Sequence, residues 1–251
     1  MIRLVVGLGN PGKEYERTRH NAGFWLVERF AQASGVHFRK DAKYQALVAR
    51  LEGSGAWLLL PQSFMNASGR AVQMLAGFFK IKPEEILVAH DELDFAPGVA
   101  RIKQGGGIAG HNGLRDISQR VASHDYWRLR IGIGHPGDKD AVADYVLHKP
   151  SQEDKVAIDE ALGRALEILP LCLSGDMQGA IQKLHSSEPK PKKVEAPKAE
   201  EKLKTEAKPK AEAKPVAKKD EAKNEPPKQA SRQEAPAQAK PGLLKSLFGK
   251  K

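Results

Sequence analysis

The residues of this chain that could do chemistry are a histidine, an aspartate and several asparagines. His20 could remove a proton from water near neutral pH, because the reference pKa of histidine is about 6.5. Asp91 could accept the hydrogen of the other ring nitrogen and stabilise the imidazolium that forms. The amide of Asn10 offers uncharged donors and an acceptor for a carbonyl, a hydroxyl or a water. Since no G-x-S-x-G motif occurs and the single cysteine, Cys172, lies in an apolar run, a hydrolase with these residues would use activated water as its nucleophile.

A second interpretation of the N-terminal segment is a dinucleotide-binding fingerprint. Gly7, Gly9 and Gly12 satisfy G-x-G-x-x-G directly after an apolar run. That fingerprint also needs a helix at the last glycine and an acidic residue about 20 positions further on, at the end of a second strand. Residues 13–19 lack a helical apolar stripe, and the only acid at that distance, Glu28, falls inside a later helix pattern. A nicotinamide-dependent oxidoreductase is therefore the less favoured alternative.

Strand and helix patterns that alternate along the chain must position these residues. Apolar runs predict strands near residues 3–7, 46–51, 57–61, 85–89, 99–103 and 127–133. Helical spacing of apolar residues predicts helices near 21–33, 67–79, 113–121, 152–171 and 177–184. Ser151 and Asp176 are the predicted N-caps of the last two helices. The pattern predicts a single α/β domain with a twisted mixed β-sheet flanked by helices, and the alternation in 128–131 is typical of an edge or half-exposed strand.

Polar side chains follow several predicted strands at the point where each strand ends. Asn10 follows the first strand, Asn66 follows the third, and Asp91 follows the fourth. His111 and Asn112 end a glycine-rich loop at the start of another helix. Because the carboxyl ends of parallel strands meet at one edge of a sheet, we expect these side chains to converge on one crevice.

Local roles could also explain these residues. The segment 10–12 would make a turn, and Asn66 could cap a helix. An isolated histidine is usually structural or solvated. The sequence predicts no metal site, because H-E-x-x-H and clustered cysteine spacings are missing around His20, His90, His111 and His135.

The composition changes after residue 187. In residues 188–251, 18 Lys and Arg against 10 Asp and Glu give a net charge of +8, out of +10 for the chain. A segment with so few large apolar residues cannot offset the entropy of ordering, so we predict a disordered basic tail after a folded domain of residues 1–187. With no membrane-spanning apolar run, no signal peptide after Met1 and no cysteine pair, the sequence predicts a cytoplasmic protein.

The end of the tail has its own pattern. Leu243, Leu244, Leu247 and Phe248 fall on one face of a short basic helix pattern. Such a terminus could contact RNA, a membrane surface or a partner's groove, and an inert solubilising tail is the alternative. A third class of function follows from this segment, a non-catalytic RNA-binding module whose binding depends on the tail.

Six ordered motifs resemble those of the bacterial peptidyl-tRNA hydrolase family, over about residues 1–186. Beginning at residues 6, 15, 64, 89, 105 and 130, they read VGLGNPG, YERTRHNAG, FMNASG, AHDELD, GGGIAGHNGL and RIGIGHP. Ile108 and Ala109 differ from the family's usual glycine and histidine in that loop, which bears on the flexibility of the loop.

The resemblance implies an activity and roles for the catalytic residues. The activity is hydrolysis of the ester that joins a peptide to the ribose of the 3′-terminal adenosine of tRNA, which frees tRNA from peptides dropped by stalled ribosomes. In this family's pattern His20 is the general base acting on water, Asp91 orients and polarises it, and Asn10 lies at the ester and helps stabilise the oxyanion. The resemblance implies no metal or organic cofactor, no obligate protein partner and a monomer.

The resemblance also implies binding residues. Those expected to contact the peptide backbone and the terminal nucleotide, or to line the crevice, are Tyr15, Met65, Asn66, His111 and Asn112. Those expected to hold the tRNA backbone are Lys103 and Arg130. Solvated charges on alternating strands are the alternative for these two cations.

Overall fold

The computed structural model describes residues 1–186, which form a seven-stranded sheet with helices on both faces. The predicted tail of residues 188–251, its apolar terminus and the boundary at 187 lie outside the described residues. The strands are β1 Leu4–Gly7, β2 Arg39–Asp41, β3 Ala46–Arg50, β4 Trp57–Pro61, β5 Ile86–Glu92, β6 Ala100–Gln104 and β7 Trp127–Gly132. Their order across the sheet is β2-β3-β4-β1-β5-β7-β6.

The four central strands, β4, β1, β5 and β7, are parallel, and antiparallel strands border them on both sides. In the register, Val6 of β1 pairs with Leu59 of β4 and with Val88 of β5. The predicted mixed α/β sheet is confirmed. The parallel arrangement brings the carboxyl ends of β4, β1 and β5 to the same edge, where the site lies.

Six helices complete the fold of the described residues. They are α1 Ala22–Ala33, α2 Ser68–Phe78, α3 Asn112–Val121, α4 Val142–Val146, α5 Gln152–Ser174 and α6 Met177–Ser186. Short 3-10 turns precede α1 at Arg19–Asn21 and α2 at Met65–Ala67. The predicted caps are present: the Ser151 hydroxyl accepts the Asp154 N–H at 3.0 Å, and the Asp176 carboxylate accepts the Gly179 N–H at 2.8 Å.

The sheet separates two apolar layers, because successive side chains of a strand point to opposite faces. Val5 of β1 packs with α1, α5 and α6 in one layer, whereas Val6 packs with α2 and α3 in the other. Burial of a side chain of this size stabilises the fold by roughly 1.5–3 kcal/mol. Cys172 belongs to the first layer and is fully buried, and burial raises the pKa of its thiol to about 12.

The structure differs from the sequence-based prediction in three elements. β2 was not predicted, since its three residues are charged and half or fully exposed, and it forms by pairing with β3. α4 has five residues, too few for a periodic signal. The prediction of a half-exposed β7 was wrong at Arg128, which is buried, because β7 lies inside the sheet between β5 and β6.

Among residues 1–186, no helix combines the length and the apolar character that crossing a bilayer requires.

Candidate active site

The predicted polar residues meet in one cleft at the carboxyl ends of the parallel strands. Asp91 was predicted to follow its strand but lies inside it, because β5 continues to Glu92 through its pairing with β7. The cleft consists of two adjoining cavities of about 290 and 270 Å³. The first, which we call the loop cavity, is bordered by Asp91, His111 and the glycine-rich loop. The second, which we call the aromatic cavity, is bordered by Asn10, Met65 and an aromatic pair. Residues that line both cavities are His20, Asn112, Ala143 and Val146.

His20 and Asp91 form a hydrogen-bonded pair between these cavities. The Nδ1–H of His20 donates to both carboxylate oxygens, at 3.0 and 2.9 Å. Burial lowers the pKa of His20, but the Asp91 carboxylate raises it by charge and hydrogen bonding, and the net pKa lies above 6.5. Burial raises the pKa of Asp91, but its two histidine neighbours outweigh that effect and keep it ionised. Nε2 of His20 makes no hydrogen bond within residues 1–186, so it is available to a water or substrate.

His111 holds Asp91 from the opposite side. Its Nε2–H donates to the same carboxylate at 3.0 Å. Its Nδ1 caps helix α3, accepting the N–H groups of Gly113 at 3.2 Å and Leu114 at 3.4 Å. Because Nδ1 must be an acceptor there, the proton of the neutral ring sits on Nε2, and the tautomer is fixed.

The same tautomer argues against a metal ion at this cluster. His20, Asp91 and His111 bring ligand-type atoms within 4.8 Å of one another. However, both histidine nitrogens that face Asp91 carry hydrogens, and a metal at Nε2 of His111 would leave an N–H on Nδ1 facing two backbone donors. The cluster fits a hydrogen-bond network better than a metal site.

His90 supports this network from inside the sheet. Its Nδ1–H donates to the backbone carbonyl of Asp91 at 2.7 Å, and its ring packs edge-on against His111 at 5.0 Å. Burial, together with nearby His111, lowers the pKa of His90 to about 3, so the ring stays neutral. The position of His90 in the sequence did not predict that it supports the hydrogen-bond network.

The amide of Asn10 is oriented by its neighbours. Its Oδ1 accepts the N–H of Met65 at 2.7 Å, which leaves the Nδ2 hydrogens as the free donors. Asn21 fixes the backbone of Asn10 with two hydrogen bonds, at 2.8 and 3.0 Å. Asn21 could not be identified from the sequence, because these bonds join residues from different turns and no residue spacing predicts them.

Asn66 and Asn112 present their amides differently. Arg115 donates to Oδ1 of Asn112 at 3.2 Å, so the Nδ2 hydrogens of Asn112 are the free donors. Asn66 is exposed in a 3-10 turn beside the aromatic cavity, and its side chain caps no helix. Phe64 lines the aromatic cavity with a side chain that is 59% exposed. Its ring packs edge-on against that of Tyr15, with the ring centroids 6.1 Å apart.

The predicted tRNA-binding cations lie outside both cavities, on one face of the β6–β7 pair. Lys103 is exposed beside the glycine-rich loop. Arg130 donates to Glu92 at 2.8 Å and stacks on Phe95 at 4.2 Å, so part of its guanidinium is already engaged. Arg128, between them, is buried and donates to backbone carbonyls of the loop, including that of Gly106 at 2.9 Å. Arg128 therefore fixes the loop.

The glycines of the apparent nucleotide fingerprint serve packing. A Cβ on Gly7 would lie 2.6 Å from the carbonyl oxygen of Gly23, and one on Gly9 would lie 2.6 Å from the ring of Phe24. Both contacts come from helix α1, which packs directly on β1. The helix expected at Gly12 for dinucleotide binding does not form, since α1 begins at Ala22.

Comparisons with known proteins identify the family to which the chain belongs. Residues 4–193 match the model of the family described as peptidyl-tRNA hydrolase. The peptidyl-tRNA hydrolase of Thiobacillus denitrificans is 53% identical over 195 residues, covering 78% of this chain and 96% of that protein. That of Aromatoleum aromaticum is 54% identical over 184 residues, covering 73% and 94%. The crystal structure of peptidyl-tRNA hydrolase from Acinetobacter baumannii matches with a TM-score of 0.73 and 46% identity, covering 75% and 97%. The resemblance found in the sequence is confirmed: the chain belongs to the peptidyl-tRNA hydrolase family.

Proposed function

We propose that His20 and Asp91 carry out the hydrolysis of peptidyl-tRNA that defines this family. The observation that carries the proposal is the two-point hydrogen bond from Nδ1 of His20 to an ionised Asp91, which leaves Nε2 available between the two cavities. An imidazole held in this way is a general base, and such a base accelerates a reaction by roughly 10²–10⁴-fold.

In the proposed reaction, Nε2 of His20 takes a proton from water as the water oxygen bonds to the ester carbonyl carbon. The tetrahedral intermediate then collapses, and the bond from that carbon to the ribose oxygen breaks. The imidazolium returns its proton to the ribose oxygen. The products are the peptide acid and free tRNA, and Asp91 stabilises the imidazolium between the two proton transfers.

The free Nδ2 hydrogens of Asn10 are the proposed donors to the oxyanion. Their direction is set in advance by the Met65 N–H on the other side of the amide. A donor of this kind lowers the barrier by roughly 2.7–4 kcal/mol. Asn66 and Asn112 bind the peptide backbone and the terminal nucleotide, and Tyr15, Met65 and His111 form the walls around them.

The tRNA backbone is proposed to lie against the β6–β7 face. Lys103 is exposed there and contacts phosphate, whereas Arg130 uses the guanidinium nitrogens that Glu92 leaves free. The enzyme acts as a cytoplasmic monomer in which residues 1–187 carry the chemistry, without a metal or an organic cofactor. The basic tail is a candidate tether toward RNA or a membrane surface, with an inert solubilising tail as the alternative, and no obligate protein partner is required.

The test is release of peptide from N-blocked aminoacyl-tRNA by the intact chain. His20→Ala should lower kcat by about 10²–10⁴-fold with little change in KM, because it removes the base and not the binding groups. His37→Ala is the matched control, since His37 is exposed and lies outside both cavities. Turnover of His20→Ala close to that of the control would exclude the proposed base.

A further inference from the structure

Arg19 is a buried cation beside His20 that the chemistry does not use. Its guanidinium donates to the backbone carbonyls of Tyr145 at 3.4 Å, His148 at 3.3 Å and Lys149 at 2.9 Å. It also pairs with Asp154 at 3.3 Å. Among the described residues, Nε of Arg19 has no hydrogen-bond partner and Asp154 belongs to α5, but the three carbonyls all belong to one short stretch of chain more than a hundred residues away in the sequence.

That stretch is the roof of the cleft. We define the roof as residues 142–149, which contain helix α4. Ala143 and Val146 of the roof line both cavities. The ring of Tyr145 lies under the Arg19 guanidinium at 4.0 Å, and its hydroxyl donates to the Ile133 carbonyl at 2.7 Å. The roof is thus fastened on one side to Arg19 and on the other to the end of β7.

The five-residue helix α4 depends on such tertiary contacts for its stability. Isolated helices of this length are unstable in water, because one turn of hydrogen bonds does not offset the entropy of nucleation. Arginine is suited to the task, since its planar group offers five donors and a face that stacks on an aromatic ring. Lysine at the same place would present one ammonium and could not serve the carbonyls, the carboxylate and the ring together.

We propose that Arg19 is a positioning residue for substrate binding, which holds the roof over both cavities. The inference rests on the proposed function, in that the two cavities receive the substrate on either side of His20. It assigns Arg19 no part in proton transfer, because Asp91 fixes the ring of His20 independently of the roof.

The test compares Arg19→Lys with Arg29→Lys. Arg29 is a matched control, since it also bridges to α5, through Asp159 at 2.5 Å, but does not touch the roof. We expect Arg19→Lys to raise KM for N-blocked aminoacyl-tRNA about fivefold or more and to leave kcat within about threefold. In the substrate-free enzyme, amide hydrogen exchange in residues 142–149 should accelerate at least about tenfold, while the β1 and β5 amides keep their protection.

Unchanged exchange in the roof, or an unchanged KM, would overturn the inference. If Arg19→Lys loosens the whole domain, Asp154→Asn decides, because Asp154 is partly exposed and the change removes only one partner of Arg19. Faster amide exchange confined to the roof of Asp154→Asn supports the inference. If amide exchange in the roof of that variant is unchanged, the inference is overturned. Hydrogen exchange is measured without turnover. The proposed role of Arg19 can therefore be tested separately from the proposed role of His20 as the base, which is tested with His20→Ala.

Discussion

At the scale of single residues, one carboxylate connects two histidines of the cleft. Asp91 accepts hydrogen bonds from His20 and His111, and His111 is itself fixed as the cap of α3. The orientation of His20 is therefore set by the start of a helix on the other side of the cleft. This arrangement predicts that the pH dependence of the reaction reports the contact between His20 and Asp91.

The rate should rise with pH through the raised pKa of His20, because the base must be neutral to accept a proton. The midpoint of kcat/KM, which reports the free enzyme, is therefore expected above 6.5. In Asp91→Asn the charge is lost while burial remains, so the midpoint should fall below 6.5 and the rate should drop by about 10²-fold or more. The measurement is kcat/KM against pH for both proteins.

Two results would argue against this account of Asp91. One is an Asp91→Asn profile that superimposes on the original, and the other is an unchanged maximal rate. The raised pKa also contributes stability that is complete below pH 6.5 and is lost as pH rises through the pKa of the folded state. Unfolding of His20→Ala across that range should lack this contribution.

Residue types and their places after strands predicted much of this site. Asn10, Asn66 and Asp91 could be placed at one edge because parallel strands end there. Arg19 and Asn21 could not be found in this way, since their roles depend on contacts that only the folded chain creates.

At the scale of elements, the close approach of α1 to the sheet decides where His20 lies. Gly23 faces the backbone of Leu8 and Ala89, and a Cβ there would lie 2.5 Å from the Leu8 nitrogen. The 3-10 turn that carries His20 leads directly into this contact.

Gly23→Ala should therefore force α1 away from β1 and β5. We expect a loss of about 1–3 kcal/mol or more in the free energy of unfolding, together with reduced turnover as His20 moves with the helix. Gly77→Ala on α2 is the control, because no atom lies within 4 Å of its Cβ position, and it should gain about 0.5–1 kcal/mol. Urea unfolding of both variants checks this, and equal stabilities would show that the approach is not tight.

Elements with strong periodicity were predictable, whereas elements made by their surroundings were not. The helices α1 and α5 begin within one residue of the predicted starts. β2 forms only because β3 offers it hydrogen-bonding partners, and α4 forms where Arg19 and β7 hold it. The local sequence pattern does not predict partners that are distant in the sequence.

At the scale of the whole molecule, charge is divided unevenly. Residues 188–251 hold +8 of the net charge of +10. A polycationic tether raises the rate of encounter with a polyanion, and salt screens this effect over about 10 Å at 0.1 M.

Deletion of residues 188–251 should therefore raise KM for peptidyl-tRNA at low salt and have little effect at high salt. A full-length chain in which eight tail lysines are replaced by glutamine, so that residues 188–251 carry no net charge, is the control, and it should behave like the deletion. The measurement is KM across a salt series. Equal salt dependence in all three proteins would identify an inert tail.

The central position of β1 in the sheet has a consequence for the synthesis and folding of the protein. The first strand in the chain is central in the sheet, and its parallel neighbours β4 and β5 are synthesised much later. Contacts between such distant segments form slowly, and an apolar strand without partners is prone to aggregation. A copy of this chain whose synthesis stops before β4 would remain on its tRNA with β1 unpaired, and its hydrolysis would depend on complete copies of the enzyme.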